Sequence, residues 1–310
     1  MAVIRSADAE AIAAAVDCLR AHEPVVMPTE TVYGLAGATF DPIALRRVFE
    51  LKGRPAGNPL IAHVGSVEEA EALVDGWDDR AKALAAAFWP GSLTLILPRC
   101  DDVPSIAAGG RDTLAVRMPE HSVAQALLKA FGGPLSAPSA NRSGRVSPTA
   151  AVHVQSDYAD LEDAAELLIL DGGPCAVGVE STVLSLADGA ARLLRPGSVR
   201  LPQLEGVIGP IEDSVPWTQG DTPGSSPRHY APQTPVELVA ADAWASSKGS
   251  VNVVRLVLPD EPDVAQAALY TMLRDADNAG AAVLQVKMPP DDPRWRAVRD
   301  RLLRAAHRSD

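Results

Sequence analysis

The stretch VVMPTETVYGLAGATFDPIALRRVFELKGRPAGNPLIAHV, residues 25–64, contains a complete strand–loop–helix–loop–strand unit. The apolar run Val25–Met27 predicts a short strand, and a polar loop follows over Pro28–Thr39. Asp41 and Pro42 supply an N-cap and a first-turn proline for a helix that we expect to end near Lys52. The order of these segments indicates an α/β domain.

The same alternation continues on both sides of this unit. The loop Gly53–Asn58 leads to a predicted strand at Leu60–Val64, and Ser66 with Glu69 has capping-box spacing for another helix. Residues 6–22 predict an amphipathic helix with Ser6 as its N-cap. The remaining predictions for this region are strands at Leu93–Leu97, Leu114–Val116, Leu167–Leu170, Val183–Leu186 and Leu193–Leu194, a helix around Val123–Phe131, and a hairpin turn at Asp188 and Gly189. Crossovers mixed with hairpins predict a twisted mixed sheet over residues 1–205.

The C-terminal third begins with a change in composition. Hydrophobic periodicity disappears over residues 206–235, where recurrent prolines predict a semi-rigid linker. A small α/β domain is predicted over residues 236–310. Its predicted elements are strands at Val236–Val239, Val251–Leu258 and Ala282–Val286 and helices near 263–279 and 293–306.

Bulk composition limits the classes of protein to consider. A chain of 310 residues predicts about two domains, and a net charge of -12 argues against a broad electrostatic grip on nucleic acid. Cys18, Cys100 and Cys175 are widely spaced and indicate neither a disulfide framework nor a thiolate metal site. With no apolar run of membrane-spanning length and acids among the N-terminal alanines, we expect a cytoplasmic protein without a membrane partner.

Standard nucleotide and metal motifs are absent from the sequence. It contains no GxGxxG after a strand, no GxxxxGK[ST] and no HExxH or similar histidine spacing. We therefore expect no metal held by protein ligands, and any anionic ligand must be bound by individual cations in loops.

Several polar segments beside apolar runs are candidates for that role. PTETVYG (28–34) presents hydroxyls, a carboxylate and a phenol, although it is equally a polar turn. KGRP (52–55) carries Lys52 and Arg54, of which the lysine suits a helix C-terminus. Arg117 follows a predicted strand, where it is either an exposed strand end or a ligand for a carboxylate or phosphate. SAPSANRSG (136–144) is rich in small donors, as anion-binding loops and flexible loops both are.

Taken in order, these segments identify a family. PTETVYGL, KGRP with NPLIAH, LAVRMP, SAPSANRSG with SPT, VESTV, RPG and RHYAP closely resemble the long-form threonylcarbamoyl-AMP synthases, which combine a YrdC-type domain with a C-terminal extension. The resemblance covers essentially the whole chain and is faint in the last domain. Departures occur at Ala36, Ser92 and Ser225-Ser226-Pro227, and the last of these could alter the linker's contacts with nucleotide.

This resemblance implies an enzyme that makes L-threonylcarbamoyl-AMP and pyrophosphate from L-threonine, bicarbonate or CO2, and ATP, with Mg²⁺ carried by the ATP phosphates. The product would pass to a tRNA threonylcarbamoyl transferase that modifies adenosine 37 of tRNAs reading ANN codons. By motif position, the resemblance assigns catalysis to Lys52 and Arg54, the threonine pocket to Thr31, His63, Arg117, Ala137 and Ser181, and ATP binding to Arg54, Asn58, Thr113, Ser139, Asn141, Ser147, Arg195, His229 and Tyr230.

Two other functions share these motifs. A carbamoyl transferase using carbamoyl phosphate would employ the same domain, but the zinc-finger and acylphosphatase segments that accompany it in hydrogenase maturation factors are absent from the sequence. An RNA-binding module is disfavoured by the net charge of -12. We further expect the linker residues Arg228, His229 and Tyr230 to fold over the site when ATP and threonine bind.

Overall fold

The computed structural model describes residues 2–213, 229–246 and 252–307. Within these ranges, eleven strands form one large sheet in the order β1-β8-β2-β3-β7-β4-β6-β5-β9-β10-β11. The strands are β1 Val3–Ser6, β2 Val25–Met27, β3 Gly34–Ala38, β4 Ile61–His63, β5 Leu93–Pro98, β6 Thr113–Arg117, β7 Leu135–Ala137, β8 Leu168–Asp171, β9 Thr182–Asp188, β10 Ala190–Arg195 and β11 Glu212–Asp213. Parallel pairs such as β4–β6 and β5–β9 alternate with antiparallel pairs such as β3–β7 and β5–β6, which confirms the mixed sheet.

Helices pack against this sheet and bury its apolar side chains. They are α1 Ala9–Arg20, α2 Pro42–Lys52, α3 Val67–Glu71, α4 Asp79–Phe88, α5 Ser122–Phe131, α6 Ala151–Asp157 and α7 Leu201–Ile208. Successive side chains of β5 point to opposite faces of the sheet. Leu93, Leu95 and Leu97 pack in the main core, whereas Ile96 packs with Ile61 on the opposite face. Ile61 also lines the cavity described below, so the second face of the sheet supports the site.

The capping signals around α2 are confirmed. The Asp41 side chain accepts from the amides of Ile43 and Ala44, Pro42 opens the helix, and Gly53 ends it in the left-handed conformation with φ 63°. The predicted capping box at α3 forms only in part. Ser66 Oγ accepts from Glu69 N at 3.2 Å, but the Glu69 carboxylate accepts from Gly65 N instead of the Ser66 amide.

Two predictions near the N-terminus are wrong. Ser6 is the last residue of β1, and α1 is capped by Asp8, whose carboxylate accepts from Ala11 N at 2.8 Å. The predicted loop Pro28–Thr39 contains β3, which pairs antiparallel with β2. β3 was missed because GLAGA contains no β-branched or aromatic residue. A Cβ on Gly37 would lie 3.1 Å from Val48 Cγ2, so close packing by α2 requires the glycine.

The C-terminal part is a second, smaller α/β unit. Its strands β12 Val236–Val239, β13 Val253–Leu256 and β14 Val283–Lys287 form a parallel sheet in the order β12-β14-β13. Helices α8 Pro262–Asn278 and α9 Arg296–Ala306 accompany it, the latter preceded by a 3-10 turn at Pro293–Trp295. Its predicted strands and helices are confirmed at these positions.

The predicted linker, residues 206–235, is only partly described. Residues 206–208 continue α7, and β11 pairs parallel with β10, so the chain follows the large sheet as far as residue 213. Residues 214–228, including Ser225-Ser226-Pro227 and Arg228, lie outside the described residues. Across the three described ranges, no helix combines the length and the hydropathy needed to cross a bilayer.

Candidate functional site

A cavity lies where the chain leaves β2, β4, β6 and β7, facing the turn into β9, the end of β10 and the residues that precede β12. Ten of the predicted site residues line it, and they come from segments spread over the whole first domain and the linker. They are Thr31, Arg54, His63, Arg117, Ala137, Ser139, Ser181, Arg195, His229 and Tyr230. Thr29 and Glu180 also line the cavity and were not predicted.

Arg117 anchors one end of the cavity. Its guanidinium donates to Glu30 Oε1 at 2.5 Å, to Thr31 Oγ1 at 2.9 Å and to Gly91 O at 3.0 Å. Burial alone would raise the pKa of Glu30, but the charge and hydrogen bond of Arg117 hold that pKa below its usual value. In the structure, the Arg117 guanidinium is therefore already paired with a carboxylate of the protein, that of Glu30.

His63 contributes a neutral ring to the same end. Its Nδ1 lies 3.0 Å from Ile61 O, and because a carbonyl can only accept, Nδ1 carries the proton. Burial, reinforced by the charge of Arg117, lowers the pKa of His63 to about 3. The imidazole is consequently uncharged at neutral pH, and Nε2 is left as an acceptor for a ligand donor.

Ser181 and Arg195 form a further part of the cavity lining. The Ser181 hydroxyl lies 2.7 Å from Thr94 Oγ1, and Arg195 donates to Ser181 O at 3.0 Å and to Ser181 Oγ at 3.1 Å. Gly197 packs behind this turn so closely that a Cβ there would lie 2.7 Å from Ser181 C. A glycine two residues beyond Arg195 thus allows the cation and the hydroxyl to share one rigid corner.

The two predicted catalytic cations occupy different positions. Arg54 lines the cavity, donates to Asn58 O at 3.3 Å and Pro59 O at 3.1 Å, and keeps its charge at neutral pH although burial lowers its pKa to about 10. Lys52 lies behind the cavity wall and is 1% exposed. Its Nζ donates to Ser139 O at 2.5 Å and Asn141 O at 2.6 Å. Lys52 therefore fixes the loop that carries Ser139.

Four other predicted ATP-binding residues lie outside the lining. Asn58 contributes its carbonyl to Arg54, and half-buried Thr113 begins β6. The Asn141 amide donates to the carbonyls of its own loop, and Ser147 Oγ donates to Glu180 Oε1 at 2.5 Å. These side chains shape the loops around the cavity in the described structure.

Glu180 is the acidic residue that the sequence interpretation overlooked. It is 6% exposed, and its Oε2 accepts from Tyr270 and from Arg301, each at 2.8 Å. Burial acts to raise the pKa of Glu180, but Arg301, Arg195 and the Ser147 hydroxyl together lower it to about 2. The available signal was its position directly before Ser181, a residue that the motif had already assigned to the site.

Two linker residues complete the cavity. His229 and Tyr230 are buried, with ring centroids 4.1 Å apart, and Tyr230 adopts a positive φ of 60°. His229 Nδ1 and the Tyr230 hydroxyl have no hydrogen-bond partner among the described residues. Their placement agrees with a linker folded onto the site. The dependence of that placement on ligand stays a prediction, and Arg228 lies outside the described residues.

The acidic residues around the cavity are paired with arginines. In the described part of the chain, no group of three or more His, Cys, Asp or Glu residues is arranged to hold a metal ion. Glu30 and Glu180 are each paired with an arginine. Each of these two carboxylates therefore has a cation of the protein as its partner.

Comparison with known proteins agrees with this arrangement. The Sua5/YciO/YrdC family model, described as "Telomere recombination", matches residues 17–197, and the model "Threonylcarbamoyl-AMP synthase, C-terminal domain" matches residues 199–307. A Pyrococcus abyssi protein named "Threonylcarbamoyl-AMP synthase" is 47% identical over 227 residues, and a Bacillus subtilis protein of the same name is 46% identical over 233 residues. These matches cover 71% and 73% of this chain but 65% and 66% of the relatives.

A solved structure extends the similarity to both domains. The crystal structure of P. abyssi Sua5 complexed with L-threonine has a TM-score of 0.88 and 36% sequence identity to this chain. The alignment covers 99% of this chain and 97% of that one. The mixed sheet and the small C-terminal unit therefore share one architecture with a threonine-binding protein.

Proposed function

Since the chain belongs to the Sua5/YciO/YrdC family, we propose that it is an L-threonylcarbamoyladenylate synthase, which makes L-threonylcarbamoyl-AMP and pyrophosphate from L-threonine, bicarbonate or CO2, and ATP. The observation that carries the proposal is the single cavity that collects ten predicted residues from distant segments. Relatives named threonylcarbamoyl-AMP synthase and the threonine-bound Sua5 structure support the choice of substrate.

The chemistry matches the groups present. Threonine's amine and CO2 give a carbamate, and a carbamate oxygen attacks the α-phosphorus of ATP. The bond from that phosphorus to the bridging oxygen breaks, and pyrophosphate leaves with the electron pair. Arg54 and Arg195 lie where negative charge on the phosphates can be balanced, so catalysis rests on positioning and preorganised charge. Bound Mg²⁺ would be held by the phosphates and would offset part of their charge.

The end of the cavity near Arg117 suits threonine. His63 Nε2 is an acceptor, and Thr31 and Ser181 present hydroxyls that can donate or accept. A small polar pocket of this kind discriminates through hydrogen bonds, because an analogue that lacks the matching group leaves a buried partner unsatisfied.

The product is a mixed anhydride that water destroys, so we propose that a tRNA threonylcarbamoyl transferase consumes it to modify adenosine 37 of tRNAs reading ANN codons. We place the reaction in the cytoplasm, where the three unpaired cysteines of the chain remain reduced.

The test is release of pyrophosphate and formation of an AMP-containing product, with threonine and bicarbonate each omitted in turn. Both must be required. Valine, which lacks the hydroxyl, should be used about ten- to a hundredfold less efficiently, corresponding to about 1 to 3 kcal/mol for one unpaired buried group. Equal rates with valine would exclude threonine as the specific substrate. Turnover with carbamoyl phosphate in place of bicarbonate would favour the carbamoyl transferase.

A further inference from the structure

Glu180 is an unexpected component of a cavity that is to bind an anion. The other charged side chains of the lining away from the Arg117 end are Arg54 and Arg195. A carboxylate in this wall would repel a triphosphate unless a cation compensates it, and at low dielectric such repulsion is strong. Arg195 of the first domain supplies part of that compensation, and the direct ion pair comes from the C-terminal domain.

Arg301 on α9 supplies it. This side chain is fully buried, and its Nε donates to Glu180 Oε2 at 2.8 Å while Nη2 lies 3.4 Å from Glu180 O. Nη1 donates to Asp300 Oδ2 at 2.6 Å. The guanidinium carbon also lies 5.1 Å from the centre of the Tyr230 ring. One arginine of the second domain therefore contacts two elements of the cavity wall.

Close packing between the two domains holds Arg301 in a fixed position relative to the cavity. Gly178 has φ +76°, and a Cβ there would lie 2.5 Å from the Cα of Ala267 on α8. On the same helix, Arg274 pairs with Asp157 of the first domain at 2.7 Å. Helix α8 thus abuts the segment that leads into Glu180, and Tyr270 from this helix donates to the same carboxylate.

We propose that Arg301 is a positioning residue by which the C-terminal domain makes the cavity able to bind a triphosphate, because it holds the Glu180 carboxylate and neutralises its charge. This inference rests on the proposed use of ATP. It gives the second domain a defined role, which is to cancel a negative charge that the first domain places beside its own nucleotide site.

The variant Arg301→Met removes the cation and keeps an apolar side chain of similar length. Glu180 then loses its only direct ion-pair partner among the described residues, and affinity for MgATP should fall about ten- to a hundredfold. Threonine carries both charges, so its affinity should change less. The matched control is Arg304→Met on the same helix, which removes another buried arginine paired with Asp300.

The decisive variant is Glu180→Gln/Arg301→Met, which removes both charges of the pair and leaves Arg54 and Arg195 in the lining. Equilibrium binding of MgATP, KM for ATP and for threonine, and thermal stability are measured for each protein. We expect the double variant to recover MgATP affinity to within about threefold of wild type, and Arg301→Lys to retain it. Loss of affinity in Arg301→Met that Glu180→Gln does not repair, or an equal loss in Arg304→Met, would overturn the proposal.

If Arg301→Met does not fold, the double variant carries the test alone, since a tenfold loss of MgATP affinity in it contradicts charge compensation. Failure of the proposed function is distinguishable. Wild-type protein that binds MgATP but releases no pyrophosphate with threonine and bicarbonate would contradict the reaction, while the binding comparison would still decide the role of Arg301.

Discussion

Replacing Gly197 by alanine tests whether the Ser181 corner must sit where the structure has it. Gly197 follows Arg195 and Pro196 and packs against the backbone of the turn that precedes β9. An added Cβ would lie 2.7 Å from Ser181 C and 2.8 Å from Glu180 O, and closer still to Thr182 N. All three neighbours are backbone atoms, so no side chain can rotate away.

The size of the effect follows from these distances. Ordinary contact begins at 3.4 Å, so the turn has to move by about 0.7 Å at Ser181. Overpacking of this kind costs about 1 to 3 kcal/mol, which for a chain of this size lowers Tm by roughly 2 to 5 °C. A displacement near 1 Å at a reacting site costs about a hundredfold in rate. We therefore expect Gly197→Ala to lower kcat/KM by about ten- to a hundredfold.

The assay is pyrophosphate release at varied threonine and ATP, with thermal unfolding of the same samples. Gly206→Ala is the control, because a Cβ at Gly206 meets nothing within 4 Å and the residue lies in helix α7. That control should be neutral or stabilised by up to about 1 kcal/mol. Wild-type kcat/KM and Tm in Gly197→Ala would refute the reasoning that the turn is rigidly packed.

Three further predictions address single side chains. Arg54→Met should reduce kcat/KM about a hundredfold. Lys52→Met should lower Tm more than Arg54→Met does, because the carbonyls of Ser139 and Asn141 lie at 2.5 and 2.6 Å from Lys52 Nζ whereas those bound by Arg54 lie at 3.3 and 3.1 Å; equal Tm values would contradict this separation. Burial lowers the pKa of His63 from 6.5 in the unfolded chain to about 3 in the folded protein. The free energy of unfolding is therefore highest above pH 6.5 and falls as the pH drops, by about 2 kcal/mol at pH 5. Denaturant unfolding of His63→Gln should show a shallower pH dependence. Tyr230→Phe removes a hydroxyl without a described partner, so Tm should be unchanged while MgATP affinity falls about tenfold, and unchanged affinity would remove that hydroxyl from the site.

Local signals in the sequence predicted much of the fold. Capping by Asp41 with Pro42 and the turn at Gly189, which has φ 81°, depend on neighbouring residues alone, so the structure confirms both. Strand β3 escaped prediction because its glycines serve contacts with α2 and β7, which lie far along the chain. Sequence periodicity records propensity and burial, whereas close backbone approach leaves only a glycine that also resembles a loop signal.

In the candidate site, too, local motifs were recognisable in the sequence, whereas contacts between distant segments were not. Ten of the residues named from motif order line one cavity in the structure, but motif order could not separate side chains that line the cavity from those that support it. Lys52 illustrates this, because a lysine at a helix end beside Gly53 and Arg54 resembles a phosphate ligand until its acceptors, 87 and 89 residues away, are known. Glu180 was missed for a related reason, since its partners Tyr270 and Arg301 lie 90 and 121 residues further along the chain.

In a protein of net charge -12, an anion-binding cavity needs nearby positive charges whose effect inside the cavity exceeds that of the overall negative charge. Surface charges are screened over about 8 Å at physiological salt, whereas buried pairs are screened much less. Arg54 and Arg195 are 8% and 4% exposed, so their fields act mainly inside the cavity. A long polyanion such as tRNA meets the acidic exterior instead, while a nucleotide small enough to enter meets the buried arginines. Raising the salt concentration should therefore weaken MgATP binding far less than it weakens any binding of RNA to the surface, because surface charges are screened more than buried ones.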